Sequence, residues 1–276
     1  MVSTATIVCV VISLLVSLLL PVVLLILFAA KNKKQGIVSA WLLGAAGFFV
    51  TQILIRVPIL TALQSQSWFL SFSRNHLFAY AFTLAFTAGL FELAGRFAVA
   101  KLMHKDLTFR RSFAAGLGHG GIEAILIVGI TYINNLAYIA MINSGTFDAS
   151  LAQAAAAGVD VSQLELIRQQ LLSASPALFL LGGFERILAM IAHLGMSMLV
   201  CYGAAHKCPG KCALICLGIH TLIDLTAGIS LLAGNVLSQS AAYFIIYLIL
   251  IAVAAVSVLV IRQLHRRWNK EVPHVC

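Results

Sequence analysis

Long runs of apolar residues, separated by short polar segments, account for most of this chain. Seven of the runs reach the roughly 20 mainly apolar residues that a membrane-spanning helix requires. They cover residues 4–30, 37–63, 76–100, 112–143, 177–204, 212–232 and 240–262. The pattern predicts an all-α fold, a polytopic membrane helix bundle of about seven transmembrane helices.

Composition supports a membrane protein and excludes an ordinary soluble domain. The 276 residues are 61% hydrophobic and 10% charged, whereas soluble domains carry about 25% charged residues. The net charge of +9 would elsewhere suggest nucleic acid. Here the basic residues lie in short loops between apolar runs, where they set orientation and meet lipid headgroups. We therefore expect the lipid bilayer, and no nucleic acid, as a partner.

The basic residues are concentrated in alternate loops. Because cytosolic loops of membrane proteins are enriched in Lys and Arg, this asymmetry predicts an external N-terminus and a cytosolic C-terminus. We expect a multi-pass integral membrane protein, located in the bacterial cytoplasmic membrane. The predicted external loops hold Arg74 and Arg168, and the predicted cytosolic segments hold Lys31, Lys33, Lys34, Lys101, Lys105, Arg110, Arg111, Lys207, Lys211, Arg262, Arg266, Arg267 and Lys270.

One segment between spans is long enough to form structure of its own, an external loop over residues 144–175. Ser162 and Glu165 match a capping box, and Pro176 ends the segment. Apolar residues recur between them at helical spacing: Leu164, Ile167 and Leu171. A short amphipathic helix on the outer surface is expected, with a lid or substrate gate as the alternative. The chain shows no internal repeat, so residues 1–276 are predicted to form a single membrane domain.

Ionisable residues inside the spans are the candidate functional residues. A charge near the bilayer centre costs roughly 2.5 to 3.5 kcal/mol, so such residues usually face a protein-lined interior and mark chemistry or transport. At 1.5 Å of rise per residue, the topology places six of them roughly 10 to 18 Å below the cytosolic surface: Glu92, His119, Glu123, His193, His220 and Asp224. Residues four apart share a helix face, so several form pairs that point toward one cavity. The residues are Glu92 with Arg96, His119 with Glu123, His193, and His220 with Asp224.

Three imidazoles with carboxylates form a suitable set of ligands for Zn²⁺. His119, His193 and His220 are the candidate metal ligands, and Glu123 is the candidate general base. Asp224 is either a further ligand or the acceptor that orients a ligating histidine. Without a metal, Glu123 itself could activate water while a histidine paired with Asp224 stabilises the oxyanion. Glu92 and Arg96 either form an internal ion pair or take a direct part in the chemistry of the site.

A second group of metal-binding residue types follows the fifth span. It contains His206, Cys208, Cys212 and Cys216. These residues could form a zinc site, but cysteines in membrane proteins more commonly pack as small apolar residues. No disulfide framework is expected, because the cysteines lie within spans or on the cytosolic side.

Several segments resemble the YhfC family of intramembrane metalloproteases, and more distantly the PrsW and CAAX-protease-like enzymes. They are QILIRVPIL, FELAGRF, GHGGIEAIL, FERILAMIAHLGMSMLV and GIHTLIDL, and the resemblance runs from about residue 37 to 262. It implies an active site with a glutamate on one helix, a histidine on the next and an HxxxD pair on a third. These correspond to Glu123, His193, and His220 with Asp224. The relatives typically carry two adjacent glutamates, whereas Ile122 precedes Glu123 here.

The function that fits best is an intramembrane peptidase with a water activated by Glu123. Its substrate would be a membrane-embedded or membrane-adjacent protein or peptide. The main alternative is a proton- or divalent-metal-linked transporter, which requires polar residues through the full membrane thickness. Haem ligation by two histidines leaves Glu123 and Asp224 unused, and an inactive scaffold that binds a partner is a further alternative.

Overall fold

A computed structural model describes residues 1–158, 160–232 and 238–268. Its α-helices are α1 Thr4–Lys31, α2 Ile37–Phe48, α3 Val57–Gln64, α4 Ser67–Asn75, α5 Leu77–Leu102, α6 Phe109–Glu123, α7 Ile130–Ser144, α8 Phe147–Ala156, α9 Ser162–Ser173, α10 Pro176–Ala205, α11 Pro209–Leu232 and α12 Gln239–Trp268. A 3₁₀ turn covers His104–Asp106, and no strand occurs in the described residues. Lys270, counted above in the cytosolic tail, lies outside them.

Seven of the helical stretches are long and apolar enough to cross a membrane, which confirms the predicted all-α, multi-pass architecture. They are Thr4–Lys31, Ile37–Gln64, Leu77–Leu102, Phe109–Ser144, Pro176–Ala205, Pro209–Ile229 and Gln239–Trp268. Their ends differ from the predicted ones by only a few residues. The direction in which the chain crosses the membrane stays a prediction.

Two of the spans contain a π-helical segment that the apolar pattern did not predict. Phe49–Arg56 joins α2 to α3, and Ala124–Gly129 joins α6 to α7. A π-helix is wider than an α-helix and turns the following residues onto a different face, and such segments are frequent at functional sites. One π segment contains the buried Gln52, and the other begins directly after Glu123.

The helices form two compact units. The first contains residues 1–22 and 124–187, and the second contains residues 23–123 and 188–276. All the ionisable residues singled out above within the spans belong to the second unit. The division concerns local packing within one chain, and the single membrane domain stays a prediction.

The first unit contains the segment predicted to be external. Its core includes Val10, Tyr132 and Leu171, and the Tyr132 hydroxyl donates to the Phe179 carbonyl at 2.6 Å. The predicted helix is present as α9, but the predicted capping box is wrong. Ser162 is the first helical residue rather than the cap, and its amide donates to Oδ1 of Asp160 at 2.9 Å.

In the second unit, glycines allow α6 to pack closely against two other helices. A Cβ added to Gly118 would lie 1.9 Å from the Trp41 carbonyl oxygen, so the backbones of α6 and α2 are nearly in contact. On another face, a Cβ on Gly120 would lie 3.0 Å from Cβ of His193 on α10. Gly89 on α5 provides similar space for His220 on α11, at 3.3 Å from its Cβ. The glycine-rich stretch thus stays helical and serves helix packing.

We expect Gly118→Ala to destabilise the protein, because the new methyl group would overlap with the Trp41 carbonyl. Overpacking typically costs about 1–3 kcal/mol. Gly218→Ala is the matched control, since an added Cβ there meets nothing within 4 Å and alanine favours a helix by up to about 1 kcal/mol. Thermal unfolding in detergent should show a lower midpoint for Gly118→Ala only. Equal midpoints for the two variants would contradict the proposed close packing of α2 and α6.

Candidate metal centre

A buried group of polar side chains occupies the interior of the second unit, and we call it the polar centre. It draws side chains from the first π segment and from α5, α6, α10 and α11. The rings of the three histidines are neighbours, with centroids 5.5 Å apart for His119 and His193 and 5.4 Å apart for His193 and His220. Its members are Gln52, Glu92, Arg96, His119, Glu123, His193, His220 and Asp224.

Glu92 lies at the middle of the polar centre and is only 3% exposed. Its Oε2 atom accepts a hydrogen bond from Nε2 of His119 at 2.9 Å. The same oxygen lies 2.8 Å from Nε2 of His220 and 3.4 Å from Nδ1 of His193. One carboxylate oxygen is therefore shared by all three histidines that the sequence marked as metal ligands.

Arg96 and Gln52 hold Glu92 from its other sides. Arg96 Nη2 donates to Glu92 Oε2 at 3.1 Å, which confirms the ion pair considered above. Gln52 Nε2 donates to Oε1 of Glu92 at 2.9 Å and to the Ala88 carbonyl at 3.2 Å. Glu92 thus has both the ion pair with Arg96 and direct contact with the histidines.

The geometry also defines the proton positions on His193. Arg96 Nη2 lies 2.8 Å from Nδ1 of His193, and a guanidinium can only donate hydrogen bonds. Nδ1 is therefore the acceptor, and the ring proton of the neutral histidine is on Nε2. Nε2 lies 2.8 Å from Oε2 of Glu123, so His193 stands between the arginine and this second carboxylate.

The three carboxylates differ in their access to the surroundings. The side chain of Glu92 is 4% exposed, whereas that of Glu123 is 15% exposed and that of Asp224 is 34% exposed. Asp224 Oδ2 lies 3.5 Å from Nδ1 of His220. Glu123 and Asp224 therefore lie on the accessible side of the polar centre, and Glu92 lies in its interior.

The polar centre fits a divalent metal ion. Glu92, His119 and His193 each offer one ligand atom, and these atoms lie within 4.8 Å of one another. His220 lies beside this group, with its Nε2 atom 2.8 Å from Oε2 of Glu92. Carboxylates also outnumber arginines in the centre, so a cation would reduce its negative charge.

The structure thus brings together every site residue that the sequence singled out: His119, Glu123, His193, His220 and Asp224. Their roles as ligands or catalytic groups stay predictions. Two members of the polar centre go beyond the sequence predictions. The sequence left Glu92 open between an ion pair with Arg96 and a direct role, and the structure shows contacts of both kinds. Gln52 was not predicted, although it is an amide in a mainly apolar span and the first residue of the QILIRVPIL segment.

The alternative cysteine site is not assembled as a three-ligand group. In the part of the chain that the structure describes, no other set of three His, Cys, Asp or Glu residues meets the same spacing as Glu92, His119 and His193. Cys212 and Cys216 are buried, as expected for cysteines that pack as small apolar residues.

The chain is similar to a known family of membrane proteins. The family model described as YhfC intramembrane metalloprotease matches residues 16–250. A protein of Bacillus subtilis (strain 168), described as uncharacterized membrane protein YhfC, is 32% identical over 229 residues, which is 82% of this chain and 86% of the relative. No solved structure matches the chain at a significant level.

If the polar centre binds a metal, Glu92→Gln should weaken binding by at least about tenfold, because one anionic ligand is lost while the shape of the side chain is kept. Protein stripped with a chelator would be titrated with Zn²⁺ against a chromophoric competitor. Glu165→Gln on α9 is the control, since this carboxylate pairs with Arg168 outside the centre. Equal affinity of wild type and Glu92→Gln would exclude Glu92 as a ligand.

Proposed function

The chain belongs to the YhfC intramembrane metalloprotease family, and on that premise we propose that it hydrolyses peptide bonds within or beside the membrane. Its substrate would be a membrane protein or membrane-associated peptide. The observation that carries this proposal is the combination of a buried group of metal-binding side chains with a more accessible carboxylate, Glu123, in contact with it. A hydrolase needs both parts, because one stabilises charge and the other moves protons.

Zn²⁺ is the metal that we propose for the centre, because imidazole and carboxylate donors suit it. His119, His193 and His220 would supply nitrogen ligands, as the sequence predicted, and Glu92 would add an oxygen ligand. His193 would bind through Nδ1, which would give up its hydrogen bond from Arg96 when the ion is present. When bound, the ion would polarise the scissile carbonyl and make a neighbouring water more acidic.

Glu123 is the proposed general base. It is the carboxylate that combines partial exposure with contact to a histidine of the centre, since its Oε2 lies 2.8 Å from Nε2 of His193. In this role Glu123 removes a proton from the attacking water and returns it to the leaving amine. His193 orients the carboxylate through Nε2, and in the metal-free site Arg96 holds the other nitrogen of the ring, Nδ1, at 2.8 Å.

Asp224 and His220 form the second proposed catalytic pair. The carboxylate lies 3.5 Å from Nδ1 of His220, close enough to orient the ring and to favour a proton on it. With a metal bound, this contact would direct Nε2 of His220 toward the ion. Without a metal, the protonated His220 would stabilise the negative charge that develops on the substrate carbonyl oxygen.

The proposed place of action is the bacterial cytoplasmic membrane, with the polar centre nearer the cytosolic face. The support is the asymmetry of the basic residues together with the lengths of the seven spans. The carboxylates and histidines of the polar centre lie about seven to twelve positions from the span ends that the charge pattern assigns to the cytosol, or roughly 10 to 18 Å. Substrate segments would therefore have to enter from the lipid or from the cytosolic surface.

Glu123→Gln should lower kcat/KM by about 10²-fold or more, because general acid–base catalysis typically contributes that much. The wild type and the variant would be incubated in proteoliposomes with quenched-fluorescent membrane peptides, and products would be identified by mass spectrometry. Zn²⁺ content and melting temperature should remain unchanged in the variant. Glu165→Gln is the matched carboxylate control.

Three results would count against the proposal. Equal cleavage by wild type and Glu123→Gln would remove Glu123 from the mechanism. Cleavage that survives exhaustive chelation would favour water activation by glutamate without a metal. Absence of cleavage, combined with wild-type-dependent uptake of Zn²⁺ or protons into vesicles, would favour the transporter.

The proposed orientation has its own test. Green fluorescent protein fused after Trp268 should fluoresce, because the predicted C-terminal end of α12 is cytosolic. Alkaline phosphatase fused after Gly158, between α8 and α9, should be active because that segment is predicted to be external. The reverse pattern of the two reporters would invert the topology.

A further inference from the structure

The turn between α10 and α11 holds two cysteines in a defined arrangement. The Cys208 amide donates to the Gly203 carbonyl at 3.0 Å, and the His206 amide donates to the Tyr202 carbonyl at 2.9 Å. Lys207 has a left-handed backbone with φ of 56°, which is the conformation that ends a helix in a Schellman motif. Pro209 then begins α11. The backbone at Cys208 is thus fixed on both sides.

Cys208 and Cys212 lie one helical turn apart, and their Sγ atoms are 4.0 Å from each other. Both are free cysteines, with Cys208 partly exposed and Cys212 buried. Gly203 on α10 makes room for the second sulfur, since a Cβ at that position would lie 2.9 Å from Sγ of Cys212. The two sulfurs therefore form a preorganised dithiol at the end of the helix pair.

The spacing of the two sulfurs suits a shared metal ion. Cys208 directly precedes the first turn of α11. A metal–sulfur bond of about 2.3 Å allows two sulfurs on one ion to lie up to about 4.6 Å apart. The observed 4.0 Å satisfies that limit.

His206 in the same turn is not a third ligand of this pair. Its Nδ1 atom lies 3.0 Å from the Tyr202 carbonyl oxygen, and its ring stacks on that of Tyr202 with centroids 4.0 Å apart. Among the described residues it forms no three-ligand group with the two cysteines.

We propose that Cys208 and Cys212 form a second metal site, which binds a soft, thiophilic ion of low coordination number such as Cu(I). Thiolates select Cu(I) and zinc among common metals. A structural zinc site requires four ligands, whereas in the described part of the chain no three-ligand group contains either cysteine. Two sulfurs suffice for Cu(I). The site shares no residue with the polar centre and is independent of the proposed peptidase function.

The test is an anaerobic titration of the full-length protein in detergent with Cu(I), in competition with bicinchoninate. We expect one tightly bound equivalent with sulfur neighbours in X-ray absorption. Cys208→Ser and Cys212→Ser should each weaken that binding by at least about tenfold. Cys9→Ser on α1 is the matched control and should bind as wild type does. Sulfur neighbours distinguish this site from the histidines of the polar centre.

A second measurement uses the wild type alone, in case the serine variants fold poorly. Cu(I) should protect the partly exposed Cys208 from N-ethylmaleimide, as read by mass spectrometry, and should leave the alkylation of Cys9 unchanged. The proposal is overturned if bound Cu(I) has only nitrogen or oxygen neighbours, or if Cu(I) does not protect Cys208. It is also overturned if Cys208 and Cys212 form a disulfide that persists under reducing conditions.

Discussion

The burial of one carboxylate, that of Glu92, sets the requirements for the surrounding structure. Glu92 is 3% exposed on a helix of membrane-spanning length, where little water is present to solvate a charge. Loss of one partner of a buried ion pair typically costs about 3–5 kcal/mol. Glu92 is therefore surrounded by the donors Gln52, Arg96 and His119, with His193 and His220 in contact. These partners lie on different elements, so their contacts with Glu92 connect α5 to the first π segment, α6, α10 and α11.

Such a cluster can form only if the helices approach closely. The approach is possible because glycines face one another's backbones or the histidine side chains, as Gly118 faces Trp41 and Gly120 faces His193. Small residues play this part in membranes because packing, rather than the hydrophobic effect, drives helix association there. The same glycine-rich stretch of α6 carries His119 between Gly118 and Gly120, so the close packing places a ligand-type side chain in the interior. Packing and chemistry are therefore encoded by the same few residues.

The burial of Glu92 among its donors also explains why the three carboxylates differ in exposure. Glu92 is enclosed by donors and can act only on its immediate neighbours, whereas Glu123 and Asp224 retain access at the edge of the polar centre. A static, buried charge stabilises its neighbours, and an accessible one can exchange protons with water and substrate. Helical spacing alone predicted that His119 pairs with Glu123. In the structure the two side chains have different partners on other helices, since His119 contacts Glu92 on α5 and Glu123 contacts His193 on α10.

The sequence by itself determined the seven spans and the membership of His119, Glu123, His193, His220 and Asp224 in one interior group. Those properties depend on the length of apolar runs and on the rise per residue, which are local and additive along the chain. Tertiary structure alone decided which carboxylate lies in the interior, which tautomer His193 adopts and that Gln52 takes part. These depend on the rotation of each helix about its axis and on the two π segments, which are set by contacts between helices and leave little trace in hydrophobic periodicity.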